Sequence, residues 1–309
     1  MRHALPAPVL PTLALTSLSL LAACNKTAQQ TTSSTQTVTA SSTATTASSA
    51  SGEAAPASAA TTSGTAASSQ PVTLRVGATP VPAGELLEFV KPKLAQQGIN
   101  LVVTEFTDYV TPNTALGEGS LDANLFQSQS YMDTFQADRP LNIVAVRDIY
   151  LPPLGLYSKK VTRLADLPDG ATIAVPNDPT NEGRALLMLQ KGGLLTLKPE
   201  AATDAGLNAI TENPHHFKFL ELEAPQLPRS LPDTDASIVN ANYALEVGLS
   251  PAKDAILHED KGSPYVNVLA TTADKKNDPS IQRLADALTT PEVRDWLQQK
   301  YSGSVIPVF

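Results

Sequence analysis

Residues 25–70 are what most limits the shape of this chain. Of these 46 positions 35 are Ser, Thr or Ala; only Lys26 and Glu53 are charged, and Val38 is the sole branched aliphatic residue. Such a stretch has too little apolar surface to offset the entropy of ordering it, so it is expected to be a disordered tether. Folding is thereby confined to about residues 72–309, a length suited to two α/β lobes rather than one small domain. Thirty acidic against 22 basic residues leave a net charge of −8. A chain so acidic lacks the cationic surface that phosphate backbones demand, and nucleic acid is not an expected partner.

Ahead of the tether, Leu21-Ala22-Ala23-Cys24 closes a short apolar run that begins at Val9. The run is too short, and too broken by Pro11, to be a stable membrane span. Small residues before a lone cysteine have the form of a bacterial lipoprotein signal. Residues 1–23 are therefore expected to be a signal peptide, and the Cys24 thiol the point of lipid attachment. No second cysteine exists, so neither a disulfide nor a cysteine-based metal site is possible. The lipid would be the only anchor, holding the body outside the cytoplasm against a membrane.

Hydrophobic periodicity divides the body. Val72 to Ala78 alternates as a strand, and Ala83, Leu86, Leu87, Val90 and Leu94 then lie on one helical face, with Gly98 placed for a C-terminal cap. Leu101–Val103, Leu121–Phe126 and Ile143–Val146 read as further strands, and Thr111-Pro112 as a helix cap with proline in the first turn. A second set comprises strands at 171–176, 217–220 and 236–239 and a helix ending at Gly192-Gly193. The segment 265–270 reads as a strand running back toward the first set, and two amphipathic helices carry Ile281, Leu284, Leu288 and Val293, Trp296, Leu297. This cadence predicts two lobes, each a mostly parallel sheet flanked by helices, joined by two crossing segments. The expected boundaries are 24–71 for the lipidated tether, 72–155 plus 268–309 for lobe 1, and 156–267 for lobe 2.

Catalytic patterns are scarce. The four histidines fall in no metal-binding spacing, and no nucleophile elbow or phosphate-cradling glycine loop is present. Neither an enzyme nor a cofactor is expected. The informative residue is Arg184, which follows the loop Pro176-Asn177-Asp178-Pro179-Thr180-Asn181-Glu182-Gly183, rich in cap-forming residues, and is expected in the opening turns of a helix. A cation is disfavoured at that end of the helix macrodipole unless an anion lies between, and a guanidinium fork suits a carboxylate. Local sequence equally allows a solvated Arg184, or one paired with Glu182 or Asp178. In either case it is expected to contribute little to folding. Tyr109, Phe126 and Tyr131 lie near strand ends, where open α/β sheets bind ligands; they are pocket wall or plain core. Asn240 and Asn242 follow a strand, and Asn267 reads locally as a hinge or turn residue.

Several longer strings resemble the methionine-binding lipoproteins of ABC importers, the MetQ and NlpA type. They include Val76-Gly77-Ala78-Thr79-Pro80-Val81-Pro82, Phe106-Thr107-Asp108-Tyr109-Val110, Asn181-Glu182-Gly183-Arg184-Ala185-Leu186 and Ser263-Pro264-Tyr265-Val266-Asn267. The resemblance spans about 74–309 and leaves the tether outside. It implies a two-lobed periplasmic-binding-protein fold that closes on one free amino acid. Arg184 would grip the carboxylate, Asn240 and Asn267 would bond the ligand's backbone end, and Tyr109, Phe126 and Tyr131 would surround its side chain. An ABC permease with its ATPase, and the membrane through Cys24, are the implied partners.

The sequence departs from the family at Leu125, Ser128 and Ser130, where an aromatic, a histidine and a proline are usual. Methionine is the first expected ligand. Another apolar amino acid or a methionine-containing dipeptide is the alternative, as is a surface-interaction lipoprotein.

Overall fold

The computed structural model describes residues 71–137, 139–201 and 205–309. The signal peptide, Cys24 and the tether lie outside the described residues. Among those described, no helix is long and apolar enough to cross a membrane.

The first sheet contains β1 (Val72–Ala78), β2 (Ile99–Glu105), β3 (Ala123–Ser128) and β4 (Ile143–Leu151). The second contains β5 (Gly155–Tyr157) and β6 (Thr172–Pro176); a small hairpin, β7 (Thr196–Leu197) with β8 (Ile210–Glu212), stands apart. β9 (Lys218–Leu222), β10 (Ala236–Val239) and β11 (Leu257–His258) complete the second sheet. The chain then returns to the first with β12 (Asn267–Thr272) and β13 (Ile306–Pro307). Spatial order is β13-β4-β12-β3-β1-β2 in one sheet and β11-β5-β10-β6-β9 in the other. β2 and β3 both run parallel to β1, while β12 opposes β3 and β4. In the second sheet β6 runs parallel to β9 and β10, and β5 opposes β10.

Each sheet is covered on both faces, which is why its central strands are buried almost throughout. α1 (Glu85–Gln96), α7 (Pro279–Leu288) and α8 (Pro291–Tyr301) pack on one face of the first sheet. There Leu86, Leu87, Val90 and Leu94 meet Leu284, Leu288 and Leu297. The opposite face takes Leu116 from α2 (Thr111–Gly117) and Met132 from α3 (Gln129–Ala137). Alternation along β12 sends Leu269 to the first of these cores and Val268 and Ala270 to the second. In the second sheet Ile173 and Val175 pack beneath α4 (Pro179–Lys191), while Ala174 joins Leu227, from α5 (Leu227–Ser230), on the other face.

Local signals hold with small shifts. Gly98 follows the cap of α1 with φ of 76° and Gly193 follows that of α4 with φ of 75°, the left-handed turns that suit glycine. Thr111 does not cap α2. It already lies in the helix, and Asp108 Oδ1 accepts instead from the Val110 and Thr111 amides at 2.8 and 2.7 Å. The third strand runs Ala123–Ser128 rather than 121–126, so Phe126 lies inside it with Gln127 and Ser128 beyond.

Candidate functional site

Four strand ends converge between the sheets. β3 delivers Phe126, Gln127 and Ser128; the turn after β2 delivers Tyr109; β6 leads into α4, and β10 into α6 (Ala241–Glu246). Ligand sites in open α/β sheets form beyond such carboxyl ends. The cleft holds about 420 Å³ of atom-free space, mouth included. Tyr109, Phe126, Tyr131, Arg184, Asn240 and Asn267 all line it, together with Asn181, Asn242, Pro82 and Pro152.

Asp178 caps α4 by accepting from the Asn181 amide at 2.9 Å, and Pro179 fills the first turn. This fixes the helix that carries Arg184 into the cleft wall. Arg184 is not solvated, and its partner is neither Glu182 nor Asp178. Nε donates to Glu259 Oε1 at 2.8 Å, and Nη2 donates both to Glu259 Oε2 and to the Pro152 carbonyl, the latter at 2.9 Å. The Tyr265 ring lies 4.6 Å from the guanidinium carbon. Burial would lower the Arg184 pKa, but the Glu259 carboxylate outweighs it and the net direction is upward. Among the described residues Nη1 has no hydrogen-bond acceptor.

The aromatic group is both wall and bridge. Tyr109 lies 5.9 Å from Phe126, 5.7 Å from Tyr131 and 5.3 Å from Tyr243, centroid to centroid. Its hydroxyl donates to Asn242 Oδ1 at 2.6 Å, and the Tyr243 hydroxyl returns a bond to the Thr107 carbonyl at 3.0 Å. Tyr131 donates to the Tyr109 carbonyl at 3.0 Å. Burial pushes the Tyr109 and Tyr131 phenols well above their ordinary range, so both are neutral donors.

Asparagines furnish the remaining polarity. Asn240 Nδ2 donates to Asn181 Oδ1 at 2.8 Å, while Asn240 Oδ1 is buried without a partner among the described residues. Asn267 is no turn residue: it opens β12, and its Nδ2 donates to the Phe126 carbonyl at 2.8 Å. Beneath the floor, Gln127 belongs to a buried amide cluster. Asn113 Nδ2 donates to Gln127 Oε1 at 2.7 Å, and Asn124 Nδ2 to Asn113 Oδ1 at 2.9 Å.

Of the three unusual positions only Ser128 borders the cleft, where its Oγ accepts from the Tyr131 amide at 3.3 Å. Leu125 is fully buried in the core of the first lobe, and Ser130 does not line the cleft. Glu259, Asn181 and Pro152 were missed from sequence. Asn181 had a signal in its cap-rich loop, but nothing near Glu259 points to a partner 75 residues away.

The family model for the NlpA lipoprotein matches residues 74–309. The D-methionine-binding lipoprotein MetQ of Escherichia coli is 41% identical over 240 residues, covering 76% of this chain and 88% of that one. Among solved structures, a nutrient-binding protein from Burkholderia cenocepacia bound to methionine is 44% identical. It covers 76% of this chain and 100% of its own, with a TM-score of 0.74. A periplasmic substrate-binding protein of an ABC transporter from Coxiella burnetii is 43% identical with a TM-score of 0.73, over 76% and 100% of the two chains. With its two-lobed periplasmic-binding-protein fold and a family match across almost all of the folded body, the chain belongs to the NlpA lipoprotein family.

Proposed function

We propose that this protein is the lipid-anchored, extracytoplasmic substrate-binding subunit of an ABC importer. It captures free methionine between its lobes, taken as 72–155 with 268–309 and 156–267, and hands it to a permease driven by its ATPase. Arg184 receives the ligand carboxylate, Asn240 and Asn267 bond the backbone end, and Tyr109, Phe126 and Tyr131 surround the thioether. Capture needs no covalent chemistry: an apolar slot with a few fixed polar groups is enough to orient a small zwitterion. Cys24 carries the lipid that keeps the subunit at the membrane.

The observation that supports this most is the pairing of unspent polar atoms in one cleft, Arg184 Nη1 as donor and Asn240 Oδ1 as acceptor. A carboxylate and an ammonium on one carbon answer to that pair. The ligand name rests on the methionine-binding relatives. Ser128 favours a second reading, another apolar amino acid, because a small side chain in the cleft lining gives room to an apolar group of different shape.

Mass spectrometry of protein purified from its native membrane tests both parts at once. Methionine should be released in about one-to-one ratio on denaturation, and the peptide beginning at Cys24 should carry acyl mass. A different released amino acid would replace the ligand assignment, and an unmodified Cys24 in membrane-bound protein would end the lipid-anchor reading.

A further inference from the structure

Among the described residues Arg184 is the only charged side chain that lines the cleft, yet it does not present a free positive charge. Its side chain is 5% exposed, and the Glu259 carboxylate, 9% exposed, lies against its Nε and Nη2 edge. Glu259 is itself held firmly. Its Oε2 accepts from the Leu154 amide at 2.9 Å, and its own amide donates to the Leu154 carbonyl at 3.0 Å. Both chain segments that cross between the sheets thus converge on the one guanidinium, since Pro152 supplies the other acceptor. The tyrosines of the wall are kept neutral by burial. Asp178, the cap of α4, lies outside the lining, and burial raises its carboxyl pKa.

The cleft is therefore close to electrically neutral, with a cation in front and an anion directly behind it. A buried site of zero net charge suits a ligand of zero net charge. A bare anion of the same shape would feel Arg184 and Glu259 nearly cancel, and would lack the partner for Asn240. We propose that Glu259 is a specificity-determining residue: acting through Arg184, its charge makes the cleft select zwitterionic amino acids over simple carboxylates. This rests on the amino-acid-binding reading above.

Calorimetry with three ligands of one skeleton tests it: methionine, its deaminated analogue 4-methylthiobutanoate, and its decarboxylated analogue 3-methylthiopropylamine. In Glu259→Gln the preference for methionine over the deaminated anion should fall about tenfold or more, because the unbalanced guanidinium attracts the anion most. The amine should weaken in the same variant. Opposite movement of anion and cation is a signature that simple loss of structure does not produce. Equal shifts for all three ligands, or an unchanged preference in a folded Glu259→Gln protein, would overturn the proposal. Should that variant not fold, Glu259→Asp carries the test. Its charge persists, so the wild-type preference should be kept within about threefold, and a collapse of the preference there would overturn it. If the wild-type protein takes up none of the three, the amino-acid reading itself fails; if it binds methionine and only the preference is unmoved, this inference alone fails.

Discussion

Two arginine clusters in this protein use the same guanidinium–carboxylate chemistry in opposite settings. At the outer end of the first sheet Arg75 meets Asp122 at 3.1 Å, Lys275 joins the same carboxylate at 2.8 Å, and the two cations are 44% and 36% exposed. In the cleft Arg184 and Glu259 are 5% and 9% exposed. The outer cluster ties β1 to the start of β3, since Arg75 N donates to Asp122 Oδ2 and Asp122 N to the Arg75 carbonyl. Water screens it, and its cations gain little by being there. The inner pair has lost its hydration, so each partner depends on the other, and removing one leaves an uncompensated charge. Burial, not chemistry, separates a local staple from a site able to bind.

The largest expected effect follows from that dependence. Arg184→Ala should weaken ligand binding by about 2–5 kcal/mol, by analogy with truncated buried charge pairs at interfaces. This is roughly 30-fold to several thousand-fold by calorimetry. The sequence suggests that the fold would be untouched; the structure reverses this, because the Glu259 side chain would be left buried without its cation. A stability loss of about 3–5 kcal/mol should appear as a lower Tm of the ligand-free protein. Arg229→Ala, at an exposed position, is the control and should change neither quantity. An Arg184→Ala protein with wild-type Tm and affinity would erase the distinction between the clusters.

A smaller effect tests the bridge over the same cleft. Tyr109→Phe keeps the ring but removes the donor to Asn242 Oδ1. One neutral hydrogen bond is worth about 1 kcal/mol, so affinity should fall roughly fivefold. An unchanged dissociation constant would mean that this bond between the lobes does not favour the bound state.

The smallest effect belongs to the outer cluster and is read by pH. Burial pushes Asp122 up, but hydrogen bonds from Arg75 and Lys275 outweigh it and hold the carboxyl at about 2 against an ordinary 3.8. A depressed folded-state pKa stabilises above the unfolded value, and the stabilisation is lost as pH falls from about 4 toward 2. Asp122→Asn should therefore flatten the Tm profile in that window alone and leave ligand affinity at neutral pH unchanged. A Tm profile that keeps its full acid slope in Asp122→Asn would assign the slope to other carboxylates.

Much of this molecule is legible in short-range pattern. Strand Ala236–Val239 and the helix that ends at Gly192-Gly193 could be read because alternation, 3.6-residue periodicity and glycine termination are local properties, although that helix begins at Pro179, inside what reads as loop. Membership of a ligand-binding family could be read from strings such as Asn181 to Leu186. The misreadings are of another kind. Thr111 looked like a cap, yet the helix starts one residue earlier and Asp108 takes the Val110 and Thr111 amides ahead of it. Leu125 and Ser128 differ in consequence, although three residues apart on one strand. Side chains alternate across a sheet, and only the packing of both faces decides which one meets a core and which the cleft.

Sequence by itself determined the composition break before residue 72, the alternation of strands and helices, and the family to which the body belongs. The family resemblance already implied that Asn240, Asn267 and the three aromatics share one site; tertiary structure alone decided that Arg184 arrives there already paired. The Arg184–Glu259 contact spans 75 residues. It exists because two crossing segments and one helix meet in space, and desolvation then makes their charges interdependent, an effect that no local run of residues encodes.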